Sequence, residues 1–409
     1  MSDGAVPVRQ DTRRPATLPR PERLAWSLLL TMAFAHFLND VYAAFLSPML
    51  PLVVSKFGLS LTLAGLTGTT FNASAALSQP FFGLAADRTS RPLFTILGPL
   101  LTIVGMGLVG LAPSYGLMLL ILFITGVGVA SFHPQSFALA GSLGGERRGT
   151  ALSVFVAGGE LGYALGPLYV ALIVGAVGLH GTVIAAIPGL IACAFLWRHV
   201  RSLRPARLPA PDTLGSDLRQ HGRVLVVIWL IAVIRSIISL SFILFLPLLM
   251  RERGQSLIAG ATAVFLFGGI GAFGGFAGGI LSDRVGRRAI LAASFILSPP
   301  LLFLFTQTTS AWGLVALALG GLTLYLGAPV NVAMAQEMLP RRASLASSMV
   351  TGMAWGIAGV SLTLVGAVAD RIGLTGTLTA SLGLAVPCLV CIALLPRQVS
   401  RPLSDTSGT

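Results

Sequence analysis

The sequence predicts an all-α membrane protein with twelve transmembrane helices in two pseudo-symmetric six-helix bundles. The composition is the first reason, because 55% of the 409 residues are hydrophobic and only 10% are charged, against about 25% charged in a soluble domain. The second reason is the length of the apolar runs, which match the ~20 residues that cross a ~30 Å hydrocarbon core. The third is a motif that recurs in the second half of the chain. With a mean hydropathy of +0.86, a water-soluble fold is excluded.

Hydropathy and turn residues place six spans in each half of the chain. The first six are predicted near residues 26–54, 62–86, 92–112, 115–142, 150–176 and 181–197. The other six are predicted near 224–250, 257–282, 289–305, 312–338, 344–369 and 375–395. The polar, Arg- and Pro-rich stretch between the two sets predicts a linker. The predicted organisation is a disordered cytoplasmic tail (1–25), a first bundle (26–200), a cytoplasmic linker (201–222), a second bundle (223–396) and a cytoplasmic tail (397–409).

The basic residues report membrane orientation. The net charge is +13, and 22 of the 27 Lys and Arg residues fall in the two tails and in every second loop. The intervening loops hold Lys56, Arg251, Arg253 and Arg371, and Arg235 lies inside a span. This asymmetry follows the positive-inside rule, so both termini and the basic loops are expected to face the cytoplasm. It also explains the basic charge without a nucleic-acid partner.

A duplicated motif relates the two halves. The pattern G-x-x-x-D-R begins at Gly83 and again at Gly279, and its aspartates, Asp87 and Asp283, lie 196 positions apart. The two glycines permit close helix approach, while each aspartate can accept hydrogen bonds from a helix N-terminus or an arginine. Such contacts would hold the cytoplasmic ends of neighbouring helices together.

These residues resemble the major facilitator superfamily over essentially the whole membrane region. The superfamily's loop G-x-x-x-D-R-x-G-R-R is intact from Gly279 to Arg288, and degraded after the second span, where Pro92 takes the last basic position. The resemblance implies that both loops gate the cytoplasmic opening. The implied gating residues are Gly83, Asp87, Arg88, Arg91, Gly279, Asp283, Arg284, Arg287 and Arg288.

Two further motifs refine the resemblance. The segments 36–40 (HFLND) and 132–134 (FHP) are similar to the fosmidomycin-resistance branch of bacterial drug exporters, although Gln135 replaces an acid that often follows the His-Pro pair. The fifth span resembles the antiporter motif G-x-x-x-G-P at Gly162, Gly166 and Pro167, without the glycine pair that usually follows. The two glycines share one helix face and the proline bends the span, so a kinked, closely packed helix is expected.

Five ionisable residues at membrane depth are the candidates for chemistry, because a charge near the bilayer centre costs ~2.5 to 3.5 kcal/mol on insertion scales. Two carboxylates and two histidines face one arginine, so at least one acid is expected to be neutral at rest, as a proton carrier requires. A structural ion pair with Arg235 is the alternative for either acid. The predicted coupling or substrate cavity comprises Asp40, His36, Asn39, His133, Gln135, Glu160 and Arg235.

Together with the resemblance, the sequence therefore predicts a secondary transporter of the bacterial inner membrane that works by alternating access, most simply a proton-coupled exporter (antiporter) of a small drug-like or metabolite molecule. One alternative is a proton-coupled uptake symporter or facilitator for a small anionic solute, with Arg235 as its counter-charge. Another is a non-transporting membrane sensor or scaffold. No G-x-x-x-x-G-K-[ST] loop is present, so neither an ATPase nor any other enzyme is expected, and no cofactor is implied. His36, Asp40 and His133 also fit part of a metal site, but no metal is predicted; the oligomeric state is not readable.

Overall fold

The computed structural model describes residues 25–89, 91–144, 147–201, 203, 214–339, 346–347 and 349–396, and gives only the backbone of Asp87, Arg148 and residues 214–220. Almost all of these residues are helical, and no strand occurs in the described ranges. The predicted tails, apart from Ala25, and half of the predicted linker (202 and 204–213) lie outside the described residues.

Seven helices form the first half of the chain. They are α1 (Trp26–Ala43), α2 (Leu46–Phe57), α3 (Leu61–Arg88), α4 (Leu93–Val109), α5 (Tyr115–Leu143), α6 (Arg148–Val177) and α7 (Gly181–Val200). Because α1 and α2 continue one another with only two residues between them, these seven helices make six spans.

The second half repeats this plan. It contains α8 (Leu214–Glu252), α9 (Leu257–Val264), a π-helical segment (Phe265–Gly269), α10 (Ile270–Val285), α11 (Arg287–Gln307), α12 (Ala311–Tyr325), α13 (Gly327–Met338), a second π-helical segment (Met349–Met353), α14 (Ala354–Leu382) and α15 (Ala385–Leu394). Within α14 the backbone breaks at Gly373, where φ is 74°, so the eleventh span ends there and the twelfth begins. The described helices thus form twelve spans in two six-helix halves, and the predicted fold class is confirmed.

The chain crosses the membrane an even number of times, so both ends lie at one face, called here the terminal face, and the other is the distal face. Serine N-caps begin three helices at the distal face, where the hydroxyls of Ser60, Ser114 and Ser256 accept from the backbone N–H three residues later. Two basic side chains at the same face donate hydrogen bonds to carbonyls at helix C-termini. Lys56 Nζ donates to the carbonyls of Gly110 and Ala112 beyond α4, and Arg253 donates to carbonyls at the end of α11. These equivalent contacts support the duplication.

One helix boundary differs from the sequence prediction. The predicted linker extends to residue 222, whereas α8 begins at Leu214. The first turns of α8 are polar and precede the apolar part of the seventh span. Hydropathy detects the part of a helix that meets lipid and is blind to a helical extension in water.

The two halves pack most closely along α3 and α14, where glycines remove side chains from the seam. A Cβ on Gly65 would collide with the Leu362 carbonyl, and one on Gly366 would collide with the Leu61 carbonyl. The hydrogen bonds that join the halves in the described part of the chain lie on the distal side. Ser47 Oγ donates to the Ile243 carbonyl.

Further contacts join the halves along the same seam. Thr69 Oγ1 donates to the Gly359 carbonyl over 2.9 Å, and Asp370 accepts from the start of α3. Residues 41–51 of the first span and 238–250 of the seventh are buried throughout. The structure is therefore closed at the distal face.

Candidate functional site

A carboxylate lies between two histidines on α1 and α5. Asp40 Oδ2 is 3.3 Å from His36 Nε2, and Asp40 Oδ1 is 3.9 Å from His133 Nε2. The side chain of His36 is buried, whereas those of Asp40 and His133 keep 16% and 22% of their surface exposed. The structure therefore brings together three residues that the sequence singled out from two different spans, and leaves the carboxylate partly accessible.

Backbone carbonyls fix how the two imidazoles face the carboxylate. His36 Nδ1 lies 2.9 Å from the Phe155 carbonyl of α6, and His133 Nδ1 lies 2.9 Å from the Val129 carbonyl. A carbonyl oxygen can only accept, so each Nδ1 carries the proton and each neutral ring presents an Nε2 lone pair toward Asp40. An ionised carboxylate also only accepts. The contact between His36 and Asp40 is therefore favourable only when a proton lies on the imidazole or on the carboxyl group.

Neighbouring residues hold this cluster in place. The His36 ring stacks on Phe155, with 4.3 Å between ring centroids. Gly159 of α6 lies beside the same ring, and a Cβ there would overlap the imidazole. Asn39 is fully buried and donates to Asp40 Oδ1 over 2.8 Å. This bond leaves Oδ2 for His36.

Gln135 does not join the cavity into which the sequence placed it. Its Oε1 accepts from the backbone N–H groups of Phe94 and Thr95 over 2.8 and 3.1 Å, and its Nε2 donates to the Arg91 carbonyl over 2.9 Å. The side chain thus caps the N-terminus of α4. A carboxylate here could accept those bonds but could not donate to Arg91, which gives a structural reason for an amide after the His-Pro pair.

Glu160 and Arg235 lie between the two halves without forming an ion pair. Glu160 is exposed, yet it lies within Coulombic range of Asp40, His36 and Arg235, so it faces the space between the bundles. Arg235 is only 4% exposed, and its Nε has no hydrogen-bond partner. Its guanidinium lies over the Tyr325 ring, with Cζ 6.0 Å from the ring centroid. The structural ion pair considered for either acid is not formed here.

Three aromatic residues near this centre were missed by the sequence analysis. Tyr325 contacts Arg235 and shares a 2.7 Å hydrogen bond with Ser239. Tyr163 and Trp355 meet across the two halves, with ring centroids 6.2 Å apart. An aromatic residue within an apolar run has the same hydropathy whether it faces lipid or a cavity, so the sequence carried no signal for them.

The glycine face of the fifth span packs against the first, as the sequence predicts. Substituting a Cβ at Gly162 or Gly166 would drive it into the carbonyl of Phe37 or Val41 on α1. Pro167 is buried within α6. This packing fixes the height of α6 against α1, and so the position of the Phe155 carbonyl that holds His36.

Replacing Gly162 by valine should therefore destabilise the protein, because overpacking costs ~1–3 kcal/mol even where side chains can move, and a backbone carbonyl cannot. The midpoint of thermal unfolding in detergent should fall by several degrees. Gly175→Val on the same helix is the matched control, since nothing lies within 4 Å of a Cβ there. Equal effects of the two substitutions would show that helix propensity, not the α1 contact, decides the outcome.

The predicted gating residues lie at the terminal face, and the side-chain contacts described for Arg287 and Arg288 stay within the second half. Asp283 is 68% exposed and pairs with Arg287 over 2.8 Å on its own helical hairpin. Arg287 also pairs with Glu337 over 2.9 Å, and Arg288 donates to the Leu395 carbonyl. Three further members are exposed, namely Arg88, Arg91 and Arg284. A Cβ added at Gly83 or Gly279 would meet no atom closer than ordinary van der Waals contact. The side chain of Asp87 lies outside the described part of the chain.

The cluster of His36, Asp40 and His133 could also bind a metal ion. One ligand atom each from His36, Asp40 and His133 lies within 4.8 Å of the others, and both imidazoles donate through Nδ1 to carbonyls, as metal-bound histidines do. A proton and a divalent cation would thus compete for one place.

Residues 32–363 match the model of the Major Facilitator Superfamily. The chain is 30% identical to the MFS-type transporter YfnC of Bacillus subtilis, over 96% of this chain and 94% of that one. It is 29% identical to the fosmidomycin resistance protein of Escherichia coli, over 85% and 88%. A bacterial homologue of the human lysosomal transporter Spinster, in an inward-facing and unoccupied conformation, has a TM-score of 0.78 at 17% identity, covering 91% of this chain and 97% of that one.

Proposed function

The chain belongs to the Major Facilitator Superfamily, and from that premise we propose that it is a proton-coupled exporter of a small drug-like or metabolite molecule, working by alternating access. Its place in this proposal is the bacterial inner membrane, with both termini in the cytoplasm as the basic loops indicate. The distal face is then periplasmic, and the structure is the inward-facing state. The partners are the substrate, protons and the surrounding lipid.

The observation that carries the proposal is the arrangement of Asp40 between two imidazole Nε2 atoms. Both Nδ1 atoms are committed to backbone carbonyls, so the cluster is held together by an exchangeable proton. Its partial exposure gives that proton a route to the cavity. A carboxylate that alternates between protonated and ionised states as access changes is what exchange of a proton for a substrate requires.

The resistance proteins among the relatives support export. The fosmidomycin resistance protein aligns over most of both chains, and multidrug resistance protein MdtG of Citrobacter koseri is 26% identical over 76% of this chain. Both are named for resistance. We therefore place this chain with exporters, and take fosmidomycin as the first compound to test.

The function is tested by growth and then by flux. A strain overproducing the protein should tolerate at least one compound of a panel, fosmidomycin included, at several-fold higher concentration than a strain overproducing Asp40→Asn. Proteoliposomes with an acidic lumen should accumulate that compound, because an antiporter couples the outward flow of protons to the inward movement of its substrate. Accumulation only with an acidic exterior would establish symport instead. A protein that moves no compound of the panel under either gradient would be a sensor or scaffold.

Arg235 favours a second candidate, proton-coupled uptake of a small anionic solute. A buried guanidinium without a carboxylate partner is expensive in a membrane unless an anion joins it in the working cycle. Its place in the second half, opposite the titratable cluster of the first half, would separate the substrate charge from the coupling proton. The direction of gradient-driven accumulation in the same vesicles distinguishes this candidate from export.

A further inference from the structure

The G-x-x-x-D-R pattern occurs a third time, at the opposite face of the membrane. Gly366, Asp370 and Arg371 repeat it at the distal end of the eleventh span, followed by Gly373. Gly373 has a φ of 74°, and the corresponding glycine after the second copy, Gly286, has a φ of 100°. In both copies a helix carrying the aspartate ends at a glycine that turns the chain.

This third aspartate crosses from one half of the protein to the other. Asp370 Oδ1 accepts from the Leu61 N–H over 2.8 Å, and Oδ2 accepts from the Thr62 N–H over 2.9 Å and from the Thr62 hydroxyl over 2.5 Å. A carboxylate of the second half therefore occupies the N-terminus of α3 in the first half, where the helix dipole favours negative charge. Gly366, one turn earlier, lets α14 approach the Leu61 carbonyl closely enough for this contact.

The copy at Asp283 and the copy at Asp370 make different contacts. At the terminal face Asp283 pairs with Arg287 of its own half, while at the distal face Asp370 joins the halves. The pseudo-symmetric end of the fifth span has no such acid, since Gly175 precedes the turn glycine Gly178 by three residues as Asp370 precedes Gly373. Within the described part of the chain, the Asp370 contact therefore has no counterpart at the end of the fifth span.

We infer that Asp370 is the distal latch of the transport cycle, whose bonds to the start of α3 hold the halves closed at the distal face and must break for that face to open. The inference rests on alternating access as proposed above, but not on the coupling ion or the substrate. Asp370 is exposed, so water can replace its three bonds when the helices part. The latch is therefore reversible, and breaking it costs only a modest free energy.

The test measures distal opening directly. In a background without the native cysteines (Cys193, Cys388 and Cys391), Ser47→Cys places a thiol at the buried distal seam where Ser47 meets Ile243. A membrane-impermeant maleimide applied at the distal face labels it only when the halves separate there. Asp370→Ala should raise the labelling rate about fivefold, which is the population shift that a lost helix cap of ordinary strength produces. Asp370→Asn should raise it less, because its amide oxygen still accepts.

Arg371→Ala is the control, since it removes an exposed neighbouring charge without touching the latch. An Asp370→Ala protein that labels at the parent rate would overturn the inference, as would equal increases in the alanine variants of Asp370 and Arg371. Elution as a single species in detergent checks folding, and the Asn variant serves the same comparison if the Ala variant fails that check. No substrate or pH gradient is needed, so this result is independent of whether the proposed function holds.

Discussion

Asp40→Asn is expected to abolish gradient-driven accumulation while leaving substrate binding and downhill exchange in place. The amide has nearly the shape of the carboxyl group, and the hydrogen bond from Asn39 can be kept by its oxygen. It cannot, however, gain or lose the proton that links His36 to the site. One proton moving down ~100 mV supplies ~2.3 kcal/mol, enough for a substrate gradient of about 40- to 50-fold in a one-to-one exchange. That gradient should collapse to unity in proteoliposomes.

Glu160→Gln is the matched control, because it makes the same chemical change on an exposed carboxylate of α6. It should slow transport at most and leave the accumulated gradient near the wild-type value. The reverse result, in which Asp40→Asn still concentrates substrate and Glu160→Gln does not, would move the coupling carboxylate to the fifth span. If both variants keep full uphill transport, coupling does not run through these carboxylates.

Chelators should leave wild-type transport unchanged if the cluster holds a proton, and should inhibit it if a metal ion is required.

Arg235→Ala is expected to weaken binding of an anionic substrate about ten- to hundredfold, the range that follows from losing one charge-assisted hydrogen bond in a buried place. The guanidinium is buried over the Tyr325 ring and forms no ion pair with a described residue, so its removal breaks no ion pair in that part of the chain. Equilibrium binding in detergent with a labelled transported compound measures the change. The protein should remain as stable as the wild type to heat, or become more so.

Arg235→Lys keeps the positive charge but lacks the planar guanidinium group, so it should recover part of the affinity for the anionic substrate. A neutral substrate of the same transporter should bind the Ala variant as it binds the wild type. Wild-type affinity of Arg235→Ala for an anion would assign Arg235 to packing against Tyr325 and would remove the argument for anionic solutes.

Local contacts of the site followed from spacing along one helix, and its longer-range contacts did not. The pairing of His36 with Asp40 could be predicted because residues four apart lie on one helix face. The approach of His133 from α5, the Phe155 carbonyl from α6 and the unpaired state of Arg235 depend on how helices far apart in sequence rotate against one another. Gln135 illustrates the limit, because it follows His133 directly yet points away from the cluster to close α4.

The sequence by itself determined the membrane class, the twelve spans and the division into two halves. The reason is that a bilayer leaves every spanning backbone to satisfy its own hydrogen bonds, so length and hydropathy are enough to identify helices. Only the tertiary structure decided which face is closed and which aspartate joins the two halves there. Asp283 and Asp370 stand in the same motif, but one meets an arginine of its own half and the other meets the N-terminus of α3. That difference arises from the packing of two bundles, which no local pattern encodes.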